Sequence, residues 1–274
     1  MKKILGAIAA LAMTVGLAAC GTPVSQGTAN QNQLVVGMEA GYPPFNWTQN
    51  DDSNGAVKIQ GTDQYAGGYD VEIAKRVAKQ LGKELVIVKT EWDGLTPALV
   101  SGKIDAIIAG MSPTEERKAT IDFTDSYYDS QLVLVVKKGS KYANATSLAD
   151  FAGAKVTAQL NTFHYSVIDQ IPGVDKQAAM DNFPAMRVAL QAGTIDAYVS
   201  ELPEAISAQA ANSDFVMVKL TDGFKASPED TQTAVGVKKD SPLTKEINEA
   251  LKTISSEERQ QIMQEAIKNQ PAAE

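Results

Sequence analysis

The stretch from Ile104 to Tyr128, IDAIIAGMSPTEERKATIDFTDSYY, is the most informative part of this chain. It opens with the apolar run Ile104–Ala109, which is short and β-branched enough to predict a buried strand of a parallel sheet. Gly110 ends the run. The segment Ser112-Pro113-Thr114-Glu115-Glu116 then predicts a helix start, with a hydroxyl cap, proline at the first helical position and acids in the first turn.

Arg117 follows this helix start and lies near the carboxyl end of the predicted strand. Ligands of open α/β sheets bind at that end, and an arginine there suits a carboxylate or a phosphate. The alternative is a surface residue that offsets Glu115 and Glu116. This stretch alone favours the surface residue, and the motifs elsewhere in the chain favour the ligand site.

The first nineteen residues form a separate segment, predicted to be a signal peptide (residues 1–19). Lys2 and Lys3 precede the apolar run Ile4–Ala19, whose sixteen residues are short of the ~20 that a membrane span needs. The run ends in Leu17-Ala18-Ala19-Cys20-Gly21, which resembles the lipobox of bacterial lipoproteins and implies cleavage before Cys20 and a lipid on its sulfur. An ordinary secretory signal with an unrelated cysteine is the alternative. Residues 20–33 are polar and predict a flexible tether.

Composition excludes several functions. Cys20 is the only cysteine and His164 the only histidine, so intrachain disulfides and metal sites built from these residues are not expected. The net charge of −8, without a basic cluster, argues against a nucleic-acid partner. No serine-nucleophile elbow or phosphate-binding loop is present, and we expect neither a metal nor a cofactor.

The remaining ~240 residues suffice for two lobes with separate cores. Strand and helix patterns alternate from Leu34 onward, which predicts βαβ units on a parallel sheet. The pattern restarts after residue 136. The segments Gly102-Lys103-Ile104-Asp105-Ala106 and Gly193-Thr194-Ile195-Asp196-Ala197 are alike, which indicates two lobes built on one plan. We expect residues 48–66 to form an exposed excursion and residues 91–94 to form a loop.

An ordered set of motifs then resembles a known family. The motifs are Tyr42-Pro43-Pro44-Phe45, Gly68-Tyr69-Asp70-Val71-Glu72-Ile73-Ala74, Trp92-Asp93-Gly94-Leu95, Ile104-Asp105-Ala106-Ile107-Ile108-Ala109-Gly110, Thr114-Glu115-Glu116-Arg117 and Asp122-Phe123-Thr124. Together they resemble the polar amino-acid-binding proteins of ATP-driven (ABC) uptake transporters, the extracellular solute-binding proteins of family 3. The resemblance implies the type II periplasmic-binding-protein fold: two Rossmann-like α/β lobes joined by two hinge strands, with the ligand cleft between them. Lobe I is predicted to comprise residues 34–130 plus 222–274, and lobe II residues 131–221.

The resemblance also implies ligand contacts. Arg117 resembles the arginine that binds the substrate α-carboxylate, and the backbone N–H of Thr162 would donate to the same group. Glu201 matches the acid that binds the substrate ammonium, and Ser112 matches a hydroxyl contact to it. Tyr42 and Trp92 match the aromatic walls around the substrate side chain.

Five further positions complete the expected site. Ala109 and Gly110 match small residues whose carbonyls contact the ligand, and Gln159 and Asn161 are weaker candidates for lining it. Glu39 follows the first strand and would face the distal end of the ligand, where an acid suits a guanidinium or ammonium. Arginine is therefore the first expected substrate, followed by lysine or histidine, with glutamine as the alternative.

The expected protein is a lipid-anchored, extracytoplasmic and monomeric receptor for a free L-amino acid. Its partners would be the permease and ATPase subunits of an importer, and it would not be an enzyme. Two alternatives stay open on the same fold. One is an enzyme that resembles cyclohexadienyl dehydratase, and the other is a sensory binding module.

Overall fold

A computed structural model of the chain describes residues 32–271, all within one compact unit. The predicted signal peptide and nearly all of the predicted tether lie outside these residues. The strands are β1 (Gln33–Met38), β2 (Gly41–Tyr42), β3 (Asn46–Gln49), β4 (Val57–Lys58), β5 (Tyr65–Gly67), β6 (Glu84–Lys89), β7 (Ala106–Ile107), β8 (Asp122–Asp129), β9 (Leu132–Lys137), β10 (Lys155–Thr157), β11 (Asp175–Lys176), β12 (Ala197–Glu201), β13 (Phe215–Val218) and β14 (Gln232–Val237). The helices are α1 (Tyr69–Gln80), α2 (Trp92–Ser101), α3 (Glu115–Lys118), α4 (Phe163–Val167), α5 (Phe183–Ala192), α6 (Leu202–Ala211), α7 (Pro228–Thr231), α8 (Leu243–Lys252) and α9 (Ser256–Asn269).

Two five-stranded sheets follow the same plan. In lobe I the order is β6-β1-β7-β14-β8, with β1 parallel to β6 and β7 and with β14 antiparallel to its neighbours. In lobe II the order is β11-β10-β12-β9-β13, with β10 parallel to β11 and β12 and with β9 antiparallel to its neighbours. The chain passes between the sheets twice, from β8 to β9 and from β13 to β14. The predicted fold class of two α/β lobes with two connections is confirmed.

The two similar pentapeptides occupy equivalent positions in the lobes. Gly102 and Gly193 end α2 and α5 in the left-handed conformation, with φ of 80° and 74°. The Asp105 carboxylate accepts a hydrogen bond from the backbone N–H of Val35 at 2.9 Å, and the Asp196 carboxylate accepts one from Lys155 at 2.9 Å. Each aspartate therefore joins its strand to the neighbouring parallel strand, which explains why the same sequence serves both lobes.

Apolar packing is continuous across the two lobes. The larger core cluster includes Val36 and Ile107 of the lobe I sheet, together with Phe183 and Tyr198 of lobe II. A second cluster, which includes Phe151 and Val156, lies within lobe II. The shared cluster keeps the lobes in contact at the cleft. Within residues 32–271, no helix has the length and apolarity that a membrane span requires.

Two predicted element boundaries near Arg117 were wrong. The apolar run Ile104–Ala109 is buried, apart from Asp105, but only Ala106 and Ile107 pair as a strand. The helix begins at Glu115, not at Pro113, and its cap is Thr114, whose hydroxyl accepts a hydrogen bond from the Arg117 N–H at 3.4 Å. The reason is that the Ser112 hydroxyl donates to the Asp230 carbonyl instead of capping the helix.

Residues 91–94, predicted as a loop, begin a helix, and residues 48–66, predicted as an exposed excursion, are largely exposed but contain paired strands. Residues 91–94 are not a loop, because α2 begins at Trp92 and its first turn includes Gly94. Residues 48–66 contribute to a small antiparallel sheet of order β2-β3-β5-β4. Ile59, only 1% exposed, anchors this segment to the body and forms a bridge to Ile87 of β6. Most residues in this segment are polar or glycine, so its sequence has no apolar pattern that would predict strands.

Candidate functional site

Three spaces lie in a row where the lobes meet. The central cavity, about 10 Å³, is lined equally by both lobes: Tyr42, Trp92, Gly110, Ser112 and Arg117 from lobe I, and Gln159, Thr162, Phe163, His164 and Phe183 from lobe II. The outer pocket, about 610 Å³, shares Trp92, Arg117, Thr162 and Phe163 with it. The Glu39 pocket, about 490 Å³, lies on the other side and is lined by residues that include Glu39, Trp47, Glu91, Pro184, Arg187 and Val188. Seven of the predicted site residues therefore line one cavity.

Arg117 separates the central cavity from the outer pocket. Its guanidinium donates to the Ser112 carbonyl at 2.9 Å and, across the cleft, to the Asn161 carbonyl at 3.1 Å. It also lies over the Trp92 ring, with its central carbon 5.0 Å from the ring centroid, in cation–π geometry. Burial lowers the pKa of Arg117 to about 10, so the side chain stays charged at neutral pH. A fixed cation with donors toward both lobes suits a carboxylate.

Asn161 connects the lobes at the same point. Its side-chain amide donates to the Asp93 carboxylate at 2.8 Å, and its backbone has a φ of 55°, in the left-handed region that asparagine tolerates. This conformation turns the Asn161 carbonyl toward Arg117. The predicted lining residue therefore borders the outer pocket rather than the central cavity.

Aromatic rings close the opposite side of the cavity. Tyr42 stacks on Phe183 of lobe II with centroids 4.5 Å apart, and on Phe45 at 4.9 Å. Gly110 makes this stack possible, because its φ is +63° and a Cβ there would lie 2.7 Å from the Tyr42 ring. The Tyr42 hydroxyl is buried and has no hydrogen-bond partner among the described residues.

A buried network holds the Gly110 backbone in place. The Gly110 N–H donates to the Tyr127 hydroxyl at 3.1 Å, and that hydroxyl donates to the Asp70 carboxylate at 2.7 Å. Asn46 donates to the second oxygen of Asp70 at 2.8 Å. Burial raises the pKa of Asp70 to about 7 in spite of these hydrogen bonds. The network fixes the cavity floor beneath Tyr42.

Glu39 and Gln159 form the partition between the central cavity and the Glu39 pocket. The Gln159 amide donates to Glu39 Oε2 at 3.0 Å and to the Asp181 carbonyl at 3.0 Å. Glu39 Oε1 is buried and has no hydrogen-bond partner in residues 32–271. Burial raises the pKa of Glu39 to about 7, and the Gln159 hydrogen bond opposes this effect only in part. This carboxyl strongly favours a proton, a hydrogen-bond donor or a cation.

Glu201 ends β12 and is 1% exposed, close to the only histidine of the chain. His164 lies on α4, and its Nε2 is 3.2 Å from Glu201 Oε1, although the angle does not satisfy hydrogen-bond criteria. Neither ring nitrogen of His164, nor Glu201 Oε2, has a hydrogen-bond partner in the part of the chain that the structure describes. An unsatisfied buried acid next to the cavity suits an ammonium group.

The hydroxyl groups of the predicted site residues Thr162 and Ser112 each donate a hydrogen bond to a backbone carbonyl of the protein. Thr162 precedes α4 with extended backbone and no side-chain cap hydrogen bond, and its hydroxyl donates to the Gln159 carbonyl at 2.8 Å. Ser112 donates to Asp230, as described above. Ala109 is fully buried just before Gly110 and does not line any of the three spaces described above. Residues 32–271 contain no cluster of His, Cys, Asp and Glu that could hold a metal.

Three cavity residues were missed by the sequence analysis as site residues: Phe163, His164 and Phe183. Phe163 and His164 directly follow Thr162, so their position beside a predicted contact was an available signal. No feature of the sequence near Phe183 indicated a site residue, because Phe183 lies on α5 and reaches the cavity only when the lobes meet.

Comparison with known proteins identifies the family. The model of the bacterial extracellular solute-binding proteins, family 3, matches residues 34–269, and the chain belongs to this family. The chain is similar to the arginine-binding extracellular protein ArtP of Bacillus subtilis (30% identity over 254 residues, 92% of each chain) and to the glutamine-binding protein GlnH of the same organism's ABC transporter (31% over 292 residues, 99% of this chain and 100% of GlnH).

Solved structures of related proteins include complexes with amino acids. The substrate-binding protein AbpA of Streptococcus pneumoniae, bound to L-arginine, matches with a TM-score of 0.74 and 27% identity, over 87% of this chain and 95% of that one. An ancestral arginine-binding protein bound to glutamine matches with a TM-score of 0.69 and 32% identity, over 85% and 97% of the two chains. These matches agree with the type II periplasmic-binding-protein fold seen in the two lobes.

Proposed function

We propose that this protein is the extracytoplasmic receptor of an ABC importer for a cationic amino acid, arginine first and then lysine or histidine. The observation that carries the proposal is the arrangement of charge around the central cavity. Arg117 lines the cavity, the buried acid Glu201 lies against the cavity residue His164, and the buried acid Glu39 accepts a hydrogen bond from the cavity residue Gln159. One cation and two acids are complementary to an α-carboxylate, an α-ammonium and a cationic side chain.

The α-amino-acid end is assigned to four residues. Arg117 binds the α-carboxylate through its guanidinium, and the backbone N–H of Thr162 donates to the same group from lobe II. Glu201 accepts from the α-ammonium, with the Ser112 position as a second contact. Because these groups come from both lobes, the ligand stabilises the closed arrangement.

The side chain of the ligand is assigned to the space between Tyr42 and Trp92, because aromatic faces suit a guanidinium. The cavity is about 10 Å³ and Phe183 stacks on Tyr42, so the lobes must separate to admit the ligand and Phe183 must give way to it. Gly110, which lines the central cavity, leaves room along its path. The cation of the ligand then reaches Glu39. A bound cation would take the position at Glu39 Oε2 that the Gln159 amide holds, so Gln159 must move when arginine binds.

The Gln159 contact also favours a second candidate. Glu39 Oε2 accepts a hydrogen bond from the primary amide of Gln159 at 3.0 Å, the same group that a glutamine side chain carries. The side chain of a glutamine ligand could replace the Gln159 amide with the same hydrogen bond. A glutamine receptor is therefore the alternative, in line with the similarity to GlnH.

Calorimetric titration tests the proposal. The protein from about Gln33 would be unfolded and refolded to remove carried ligand, then titrated with arginine, lysine, histidine, glutamine, glutamate and cystine. Tight binding of arginine or lysine without glutamate binding supports the proposal, and binding of glutamine alone selects the alternative. Glu39→Gln should weaken arginine binding much more than glutamine binding, and equal losses would contradict the role of Glu39.

Catalysis is not part of the proposed function, because a site that binds both an α-carboxylate and an ammonium needs no general acid. Turnover of an arogenate-like substrate would instead identify an enzyme that resembles cyclohexadienyl dehydratase. Signalling through a membrane kinase would identify a sensory module. Cross-linking in membranes to permease and ATPase subunits distinguishes the transport receptor from the sensor, and a single sedimenting species of one chain's mass tests the expected monomer.

The lipid anchor and the lobe bounds are further proposals. We assign cleavage before Cys20 and a lipid on that residue, with residues 20–33 as the tether. Lobe I is assigned residues 34–130 plus 222–274, and lobe II residues 131–221. Cys20→Ser should move the protein from the membrane fraction to the soluble extracytoplasmic fraction. Unchanged membrane association would contradict the anchor.

A further inference from the structure

The Glu39 pocket lies beyond the end of the site that arginine would fill. It lies on the opposite side of the Glu39–Gln159 hydrogen bond from the central cavity, since Gln159 lines the cavity and Glu39 lines the pocket. Both lobes line it, with Trp47 from lobe I and Pro184 and Val188 from lobe II. At about 490 Å³ it is within the size range of small-molecule sites, which is ~300 to 1,000 Å³.

Glu39 belongs to the wall of this pocket as well as to the partition. Oε2 accepts from Gln159, while Oε1 has no hydrogen-bond partner among residues 32–271 and is buried in a side chain only 6% exposed. Oε1 lies 3.8 Å from the position that a Cβ would occupy at Gly41, another residue of the pocket wall. Both carboxylate oxygens are therefore covered in this structure, and a ligand cation reaches them when Gln159 moves.

Two of the other charged groups of the pocket are occupied within the chain. Arg187 donates to the buried Glu204 carboxylate at 2.7 and 2.9 Å, and the Lys89 ammonium donates to Thr48 at 3.0 Å. The third, Glu91, adds a second acid to the wall. The rest of the wall is largely apolar, and Val188 at its rim is 69% exposed. The pocket therefore combines the acids Glu39 and Glu91, which suit a cation, with apolar surface that leads to solvent.

We propose that the Glu39 pocket is an extension of the ligand site, and that the receptor accepts amino acids whose cationic side chain carries an alkyl group on its terminal nitrogen. This inference rests on the proposed function. The α-amino-acid end of such a ligand occupies the central cavity, its cation pairs with Glu39, and its alkyl group lies against Trp47 and Pro184. Gln159 is the residue that opens the passage, because its amide is the partition.

The test compares L-arginine, Nω-methyl-L-arginine and Nω-propyl-L-arginine by calorimetry. For the purified protein we expect the propyl compound to bind within about tenfold of arginine. A pocket closed behind Glu39 would instead reject it by more than about 100-fold, since overpacking of a close-packed site is costly.

Val188→Trp is the variant that isolates the pocket. Val188 lies on α5 at the pocket rim, is 69% exposed and has no part in the proposed arginine site, so a larger side chain there narrows the pocket alone. We expect a loss of tenfold or more for Nω-propyl-L-arginine and less than threefold for arginine. Val188→Ala is the matched control and should change neither affinity by more than threefold. Val188→Phe is a second variant with the same expected pattern, and circular dichroism checks that each variant is folded.

The outcomes separate this inference from the proposed function. Arginine binding with rejection of the propyl compound overturns the extension alone. Equal losses for both ligands in Val188→Trp overturn it too, because they place arginine in the same pocket. Failure of every amino acid in the panel to bind overturns the proposed function and the extension together.

Discussion

Replacing Glu39 by glutamine should stabilise the protein at alkaline pH while it weakens the binding of a cation. Glu39 is 6% exposed, one of its oxygens has no hydrogen-bond partner among the described residues, and burial raises its pKa from the ordinary 4.5 to about 7. The folded protein therefore holds a proton on Glu39 at pH values where the unfolded chain has lost it. The contribution of this carboxyl to stability is fully present below pH 4.5 and is lost as the pH rises through 7.

The magnitude follows from these two pKa values. The difference between 4.5 and about 7 corresponds to about 3 kcal/mol of folding free energy at high pH. The wild type should lose most of this folding free energy, about 2.5 kcal/mol, between pH 5 and pH 8. Glutamine has nearly the same shape, can accept from Gln159 through its amide oxygen, and does not ionise. Glu39→Gln should therefore match the wild type within about 1 kcal/mol at pH 5 and exceed its stability by about 3 kcal/mol at pH 8.

Urea denaturation at pH 5, 6, 7 and 8 measures this difference directly, with the linear-extrapolation slope compared between the two proteins. Asp70, whose pKa burial also raises to about 7, contributes the same trend to both proteins and cancels in the comparison. Glu265→Gln, at an exposed position of α9, is the control and should show no pH-dependent gain. Parallel stability profiles for wild type and Glu39→Gln would refute the reasoning, because they would mean that Glu39 has an ordinary pKa in the folded protein.

Three other predictions concern the scaffold of the site. Gly110→Ala should destabilise the fold by about 1 to 3 kcal/mol and weaken ligand binding, because the new methyl would displace Tyr42; unchanged melting and affinity would contradict this. Tyr127→Phe should cost about 1 to 3 kcal/mol in urea denaturation, since it removes one hydrogen bond from the buried Gly110 N–H and one from the buried Asp70 carboxylate. Asp105→Ala and Asp196→Ala should each lower the free energy of unfolding by about 1 to 3 kcal/mol. The double variant should show the sum of the two losses, because the residues lie in different lobes. A strongly non-additive result would argue against independent roles.

The sequence pattern predicted the architecture well, because the positions of helices and strands depend mainly on residues close together in the chain. Apolar periodicity located the main helices and strands of both lobes, and the repeated Gly-x-Ile-Asp-Ala segments indicated two lobes on one plan. The aspartate of each segment bonds to the neighbouring parallel strand, so the repeat reflects a requirement of strand pairing that is the same in both lobes. The errors fell where a long-range contact overrides the local pattern, as at Ser112, whose hydroxyl bonds to Asp230 and leaves the cap to Thr114.

The sequence by itself determined the two-lobe α/β fold, the family, and most of the residues that line the central cavity. Each of these follows from spacing along one segment or from an ordered set of motifs. Only the tertiary structure decided that Phe183 stacks on Tyr42, that His164 lies beside Glu201, and that Glu39 bonds to Gln159, 120 positions away. The physical reason is that the sites of the two lobes are complementary only when the lobes meet. Which side chains then face each other depends on the relative position of two rigid bodies, and no pattern within either segment encodes it.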